Sequence, residues 1–184
     1  MVIVFIVPPG CGKGTQANIL KENVLPDLNI LTVSSLLKEK SQDESILGKD
    51  IKNKMDNGDL IEDTIVISVL KEKVNTFSNE HILIDGFPRS SIQADSLLEI
   101  FENKDLSIIN FDVDDEQLLQ RIKKRSIEES RADDSFFEKR LQIYKTSHLE
   151  ILNSLKKNYS VIDIRAKDEI SSVTAKIVDK LGLN

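Results

Sequence analysis

The chain has 184 residues, 40% of them hydrophobic, which is enough for one domain with a buried core. Its 25 basic and 31 acidic residues give a net charge of −6, which argues against a general nucleic-acid-binding protein, because such proteins present a basic surface. One cysteine and two histidines are too few for an internal disulfide or a structural zinc site.

Continuous apolar runs predict the strands. Residues 1–7 (MVIVFIV) are rich in β-branched side chains and show no alternation, which is typical of a strand buried on both faces of a parallel sheet. This run follows no basic segment and is too short to cross a bilayer, so we expect a cytoplasmic protein without a membrane association. Runs of similar character predict further strands at 29–33, 81–85, 106–113 and 159–164.

Helical patterns separate these runs. Apolar side chains recur at helix spacing in 64–74, and further helices are predicted at 14–23, 93–102, 115–124, 136–156 and 170–181. The alternation of strand and helix predicts a doubly wound α/β domain with a parallel sheet and right-handed crossovers. Residues 32–61 are mostly polar and strand-free, so we predict a small helical insertion within a single domain of residues 1–184.

The first strand leads into a glycine-rich loop, residues 8–16 (PPGCGKGTQ), which opens a helix. Glycines let backbone N–H groups converge on phosphate oxygens, and a helix N-terminus favours negative charge. Lys13 can reach the terminal phosphates of a nucleotide, although Val7 stands where the usual pattern has a glycine. An incidental turn is the alternative, which the flanking strand and helix disfavour. The predicted phosphate-binding residues are Gly10, Cys11, Gly12, Lys13, Gly14 and Thr15.

A second motif, residues 85–89 (DGFPR), ends the predicted strand 81–85. Ligands of parallel sheets bind at the carboxyl ends of the strands. There, Asp85 could organise Mg²⁺ through water, and Arg89 could bind a phosphate with two parallel hydrogen bonds. Taken alone, the motif fits a strand-end turn with a surface arginine about equally well.

Together, the two motifs resemble the signatures of the adenylate kinase family of nucleoside monophosphate kinases, and the resemblance covers nearly the whole chain. Further matching segments are 56–61 (DNGDLI), 93–95 (QAD), Arg121 with Arg125, 131–134 (RADD) and 139–141 (KRL). The resemblance implies the sheet of P-loop nucleoside triphosphate hydrolases, with 32–61 as a monophosphate-binding insertion and 126–130 as a short lid loop.

The activity that the resemblance implies is that of an adenylate kinase: reversible transfer of the ATP γ-phosphoryl group to AMP, with Mg²⁺, giving two ADP. Phosphoryl transfer depends on positioning and on charge stabilisation, so no general base is needed. We expect ATP and a nucleoside monophosphate as the binding partners and no zinc. We also expect a monomer, because the sequence shows no heptad seam or apolar interface helix.

The resemblance assigns donor-side roles to single residues. Lys13 and the loop amides would hold the donor phosphates, and Asp85 would order the water shell of Mg²⁺. Arg121 and Arg125 would pack on ATP. Arg131 would meet the transferring group, which places it among the implied catalytic residues together with Lys13 and Arg121.

On the acceptor side, Arg89 and Arg140 would hold the phosphate and complete the implied catalytic set. Gln93 favours AMP as the acceptor, because the uridylate and cytidylate kinases tend to carry asparagine in that region. The implied acceptor site consists of Val33, Lys38, Asp59, Leu60, Ile61, Gly86, Phe87, Pro88, Arg89, Gln93, Arg131 and Arg140.

Departures from the family pattern leave alternatives open. Val33 stands where the family has a threonine hydroxyl near the base, and Lys38 replaces an arginine that meets the acceptor phosphate. The spacing from Arg131 to Arg140 is also about two residues shorter than the usual spacing in the family. The alternatives are a UMP/CMP kinase, a nucleotide-binding degenerate paralogue with weak activity, and a P-loop hydrolase.

Overall fold

The computed structural model describes residues 1–77, 80–102, 105–114, 118, 137–166 and 169–183, with the backbone alone for 137–140. Within these ranges, one parallel sheet has the strand order β2-β3-β1-β4-β5. Its strands are β1 (Val2–Ile6), β2 (Asn29–Thr32), β3 (Ile82–Asp85), β4 (Leu106–Asp112) and β5 (Val161–Arg165). The predicted parallel α/β fold is therefore confirmed.

Helices lie on both faces of the sheet, as a doubly wound fold requires. One face packs against α1 (Lys13–Asn23) and α8 (Ile170–Lys180). The helices on the other face are α2 (Val33–Lys40), α3 (Ile46–Asp56), α4 (Asp63–Val74), α5 (Ser91–Asp95), α6 (Leu97–Ile100) and α7 (Phe137–Asn158).

The continuous apolar run of β1 follows from its central position. Val2, Val4 and Ile6 pack into the apolar cluster on one face, while Ile3 and Phe5 pack into the cluster on the other face. None of these five side chains is more than 2% exposed. A strand that is buried on both faces has no polar side to display, so its sequence does not alternate.

Parallel pairing brings the ends of the strands to one edge of the sheet. In the register, Val4 of β1 lies opposite Ile84 of β3 and Ile108 of β4. The loop that follows β1 and the turn that follows β3 therefore emerge side by side. This edge is where an open α/β sheet binds its ligands.

The polar segment 32–61 folds as α2 and α3 and packs on the sheet. Leu37 of α2 and Ile51 of α3 are buried in the same apolar cluster as Val2 and Val4 of β1. The hydroxyl of Ser45 caps α3 by accepting a hydrogen bond from the Gly48 N–H at 3.1 Å. The segment shares the main core, although its residues are mostly polar in sequence.

Two predicted elements differ from the structure. The single helix predicted at 93–102 is wrong, because two short helices, α5 and α6, stand in its place. Ser96 lies between them, and its hydroxyl donates a hydrogen bond to the Gln93 carbonyl oxygen at 2.8 Å, which competes with the regular helical bonding. Val33, predicted to end the second strand, instead begins α2.

Of the predicted helix 115–124 the structure describes only Leu118, and the short lid loop 126–130 lies outside the described residues. Both stay predictions. Among the helices that are described, none is long and apolar enough to cross a membrane.

Candidate active site

The loop between β1 and α1 surrounds open space at the N-terminus of a helix. Gly10 and Gly12 adopt φ angles of 81° and 91°, in the left-handed region that disfavours other residues. A Cβ placed on Gly12 or on Gly14 would meet no atom within 4 Å. The loop therefore leaves room for a group to approach the first N–H groups of α1, an arrangement that suits an anion.

The loop is anchored from below by Gln16, a residue whose role the sequence did not predict. Gln16 is 4% exposed, and its amide nitrogen donates to the Ile170 carbonyl oxygen at 3.0 Å. Its amide oxygen accepts a hydrogen bond from the Thr174 hydroxyl at 2.7 Å. These two bonds connect the first turn of α1 to the first turns of α8. Cys11 is also buried, in the apolar cluster beneath the loop.

Lys13 and Asp85 meet at the edge of the sheet. The Lys13 Nζ lies 3.6 Å from the Asp85 Oδ1, and the side chains are only 24% and 15% exposed. That separation is an ion pair, but it exceeds a normal hydrogen bond. The Asp85 Oδ1 is buried and has no hydrogen-bond partner among the described residues. Both groups thus keep hydrogen-bonding capacity for a ligand.

The turn after β3 presents Arg89. Gly86 has a φ of 85°, and the Arg89 guanidinium lies over it, so that a Cβ at Gly86 would come within 3.1 Å of the Arg89 Nη2. The Arg89 Nε donates to the Gly86 carbonyl oxygen at 3.0 Å. Phe87 and Pro88, joined by a cis peptide bond, are buried, whereas Arg89 is exposed. The turn therefore fixes one side of the guanidinium and leaves it at the surface.

Gln93 connects this turn to α4. The side chain is 4% exposed, and its Oε1 accepts a hydrogen bond from the Arg89 backbone N–H at 2.7 Å. Its Nε2 donates to the Asp63 Oδ1, also at 2.7 Å. Gln93 also helps to line the adjoining cavity.

A cavity of about 430 Å³ lies between the phosphate loop, the turn after β3 and the segment 32–61. The size is that of a small-molecule site. It brings together eleven of the residues predicted from the sequence: Lys13, Val33, Lys38, Asp59, Leu60, Ile61, Gly86, Phe87, Pro88, Arg89 and Gln93. The remaining loop residues, Gly10, Cys11, Gly12, Gly14 and Thr15, lie outside its lining.

Helix α7 contributes a part of the lining that the sequence did not predict as a site. Tyr144, Ser147 and Ile151 of α7 face the cavity, as does Met55 at the end of α3. Apolar side chains at helical spacing predicted a helix over 136–156, but Tyr144, Ser147 and Ile151 were not predicted as site residues. Tyr144 is partly buried at this wall, and burial raises the pKa of its hydroxyl above the ordinary value.

Four predicted arginines cannot be placed by their side chains. Arg121, Arg125 and Arg131 lie outside the described residues, and for Arg140 the backbone alone is described, near the start of α7. Their assignments stay predictions.

A second cavity of about 440 Å³ lies between α7 and strands β4 and β5, next to Pro8 of the loop. Here the Asn110 Nδ2 donates to the Asp163 Oδ1 at 2.7 Å, and the His148 ring stacks on Tyr144 with 4.6 Å between centroids. Burial lowers the pKa of His148, an effect that Asp163 opposes. This polar group was not predicted from the sequence.

No group of three or more His, Cys, Asp or Glu residues that could hold a metal ion occurs in the part of the chain that the structure describes. A single, partly buried carboxylate such as Asp85 suits a cation that takes most of its other ligands from phosphates and water, as Mg²⁺ does.

Comparison with known proteins gives a consistent result. The sequence profile named adenylate kinase matches residues 5–160 of the chain. The adenylate kinase of Leptospira biflexa serovar Patoc is 31% identical over 185 residues, which cover 97% of this chain and 98% of that protein. For that of Prochlorococcus marinus (strain MIT 9211), the identity is 32% over 186 residues, with 98% and 97% covered. The adenylate kinase of Borrelia duttonii is 40% identical over 130 residues, 69% of this chain and 58% of that protein.

Proposed function

The chain belongs to the adenylate kinase family, and we propose that it transfers the γ-phosphoryl group of ATP reversibly to AMP, which yields two molecules of ADP. Family membership makes it a nucleoside monophosphate kinase. The observation that carries the choice of site is the 430 Å³ cavity, because Lys13 of the phosphate loop and Arg89 of the strand-end turn line the same space. Transfer between two nucleotides needs positive charge at the point where their phosphates meet.

On the donor side, the open space at Gly12 and Gly14 supports a phosphate site at the first turn of α1. Lys13 would bring its ammonium group to the terminal phosphates. The 3.6 Å contact with Asp85 supports this role, since it directs the Lys13 side chain toward the carboxyl ends of the strands. We assign Gly10, Cys11 and Thr15 to the same donor site.

On the acceptor side, Arg89 would bind the phosphate of AMP. Its Nε donates to the Gly86 carbonyl oxygen, which restricts rotation of the guanidinium, and the side chain lines the cavity. Lys38 is exposed beside the same cavity and would add a second, less directional charge. The segment 32–61 would cover the base through Val33 and the residues 59–61.

The proposal extends to residues outside the described side chains. Arg121 and Arg125 would pack on ATP, Arg140 would join Arg89 at the acceptor phosphate, and Arg131 would meet the transferring group. The loop 126–130 would close over the phosphates as a short lid, because water must be excluded from the transfer. A monomeric state and a cytoplasmic location likewise stay predictions.

We propose Mg²⁺ as the divalent ion that accompanies ATP. Asp85 fits this role, since its buried Oδ1 has no hydrogen-bond partner in the described ranges and can accept a hydrogen bond from a metal-bound water. When bound, the ion would neutralise phosphate charge and orient the donor phosphates. The chain's own residues would still position both nucleotides.

A panel of acceptors tests the proposed reaction. ATP is offered with AMP, UMP, CMP or GMP in turn, and ADP formation is measured by a coupled assay. We expect AMP to give the highest kcat/KM. Preference for UMP or CMP would support the pyrimidine alternative, whereas nucleotide binding without turnover would support a degenerate paralogue.

A pair of lysine variants tests the placement of the donor phosphates. Lys13→Ala removes the charge at the loop and should lower kcat by about 10³-fold or more. Lys21→Ala removes the same charge from the last turn of the same helix and should leave kcat unchanged. Equal activities of the two variants would show that the donor phosphates are not bound by this loop.

A further inference from the structure

The hydrogen bonds of Gln93 fix which way its amide group is turned. The Arg89 backbone N–H can only donate a hydrogen bond, so it must face the amide oxygen at 2.7 Å. The Asp63 carboxylate can only accept one while it is ionised, so it must face the amide nitrogen, also at 2.7 Å. The two partners therefore require the same orientation. Turning the amide over would lose both bonds and set donor against donor and acceptor against acceptor.

The amide still has capacity for a ligand after these two bonds form. An amide oxygen accepts two hydrogen bonds and an amide nitrogen donates two, so the contacts with described residues leave one of each over. Gln93 is one of the residues that line the 430 Å³ cavity, and it is 4% exposed. A buried group of this kind reads the hydrogen-bonding pattern of whatever occupies the cavity, because an unmatched donor or acceptor there is costly.

Purines that differ only at positions 1 and 6 present opposite patterns. Adenine carries a donating 6-amino group and an accepting N1. A 6-oxo purine, as in IMP or GMP, carries an accepting oxygen and a donating N1–H. An amide held in one orientation complements one pattern and opposes the other. If the amide could turn over freely, it would complement either.

We propose that Asp63 is a positioning residue: by accepting a hydrogen bond from Gln93, its carboxylate holds the amide in the orientation that selects a 6-amino purine over a 6-oxo purine as the acceptor. The inference rests on the proposed function, since it concerns the monophosphate that fills the same cavity. Asp63 lies at the start of α4, thirty residues before Gln93 in sequence, and it acts only through that side chain.

The test measures discrimination between AMP and IMP, which differ in the purine only at these two positions. In Asp63→Asn the new amide can donate or accept, so turning Gln93 over now sacrifices one hydrogen bond rather than two. The ratio of kcat/KM for AMP to that for IMP should fall on the order of tenfold, the factor that corresponds to about one hydrogen bond. The expected change comes chiefly from improved use of IMP.

Glu62→Gln supplies the matched control. Glu62 is the neighbouring carboxylate at the same end of α4, but its ion pair is with Lys54, whereas the Gln93 Nε2 donates to Asp63. Both variants remove one negative charge from the N-terminus of this helix, so both should lower the melting temperature slightly. Only Asp63→Asn should change the AMP/IMP ratio. A purely structural role for Asp63 would lower stability or both activities without changing that ratio.

A second measurement uses the unaltered protein. The side-chain amide resonances of Gln93, assigned by their absence in Gln93→Glu, should show one Nε2 proton protected from exchange by Asp63. AMP should shift the other proton, whereas IMP should not.

The outcomes separate the two proposals. An unchanged AMP/IMP ratio in Asp63→Asn, or a wild-type protein that uses AMP and IMP equally, overturns the role of Asp63 and leaves the kinase activity standing. A wild-type protein that phosphorylates no monophosphate overturns the proposed function, and the role of Asp63 with it.

Discussion

Replacement of Gly12 by alanine separates the stability of the phosphate loop from its function. Gly12 has a φ of 91°, which an alanine adopts only under strain. The added Cβ would meet no atom within 4 Å, so the protein itself offers no clash. The methyl group would instead point into the open space that we assign to the donor phosphates. The Gly12→Ala variant should therefore still fold, but its kcat/KM for ATP should fall.

The magnitude follows from these two facts. Without a clash, the cost to the free energy of unfolding is the backbone strain alone, about 1–2 kcal/mol. For a chain of this length that cost lowers Tm by about 2–8 °C. A phosphate displaced by a methyl group loses its alignment for transfer, which costs at least ~10²-fold in kcat/KM for ATP.

Gly182→Ala provides the control. Gly182 lies beyond the end of α8, has a φ of 65° and likewise leaves a Cβ without neighbours within 4 Å. Its alanine variant should show a Tm decrease of the same order with wild-type kinetics. Melting curves and initial rates at varied ATP compare the two. If Gly12→Ala kept the wild-type kcat/KM for ATP while its Tm fell, donor phosphates would not occupy this loop.

Two further predictions concern the core and the pH response. Ile51→Ala, at a fully buried site in α3, should reduce the free energy of unfolding by about 2–5 kcal/mol, and the protein should still unfold in one cooperative transition. Ile46→Ala, at a site 90% exposed in the same helix, should have almost no effect. A separate early transition for 32–61 would contradict the conclusion that this segment shares the main core. Burial lowers the pKa of His148, so the unfolded chain takes up a proton near pH ~6.5 more readily than the folded protein does. The contribution of the neutral His148 to stability is therefore complete above that pH and is lost as the pH falls through the folded pKa. The decrease in Tm between about pH 7.5 and pH 5.5 should accordingly be smaller for His148→Gln than for the wild type. Equal decreases would contradict the lowered pKa of His148 in the folded protein.

Much of the sheet could be predicted because a strand that is buried on both faces has a continuous apolar sequence. The runs that became β1, β3 and β4 are continuous and apolar, and the loop after β1 carries glycines where the backbone turns to positive φ. The parallel direction of the strands also follows from the alternation of strand and helix. The strand order was not predicted, because alternation does not show that β3 lies between β1 and β2. By contrast, the break in the helix predicted at 93–102 depends on one serine hydroxyl, and periodicity does not register such a bond.

The site was predictable where motifs are contiguous and was missed where distant segments meet. Gln93 was assigned to the acceptor site, but its bond to Asp63 spans thirty residues and leaves no local pattern. Gln16 and Thr174 are similarly separated by 158 positions. Tyr144 lies in the helix predicted at 136–156 but was not predicted as a site residue, because apolar spacing does not distinguish a core face from the wall of a cavity.

The most direct test of the account is the stoichiometry of ADP formation. ³¹P NMR would monitor the reaction with ATP alone and with ATP plus AMP. We predict no ADP from ATP alone and, once AMP is added, two ADP for each AMP consumed without release of inorganic phosphate. The reverse reaction, from ADP alone, should give ATP and AMP in equal amounts. Release of phosphate from ATP without a monophosphate would contradict the account, because it would show a hydrolase in place of a kinase.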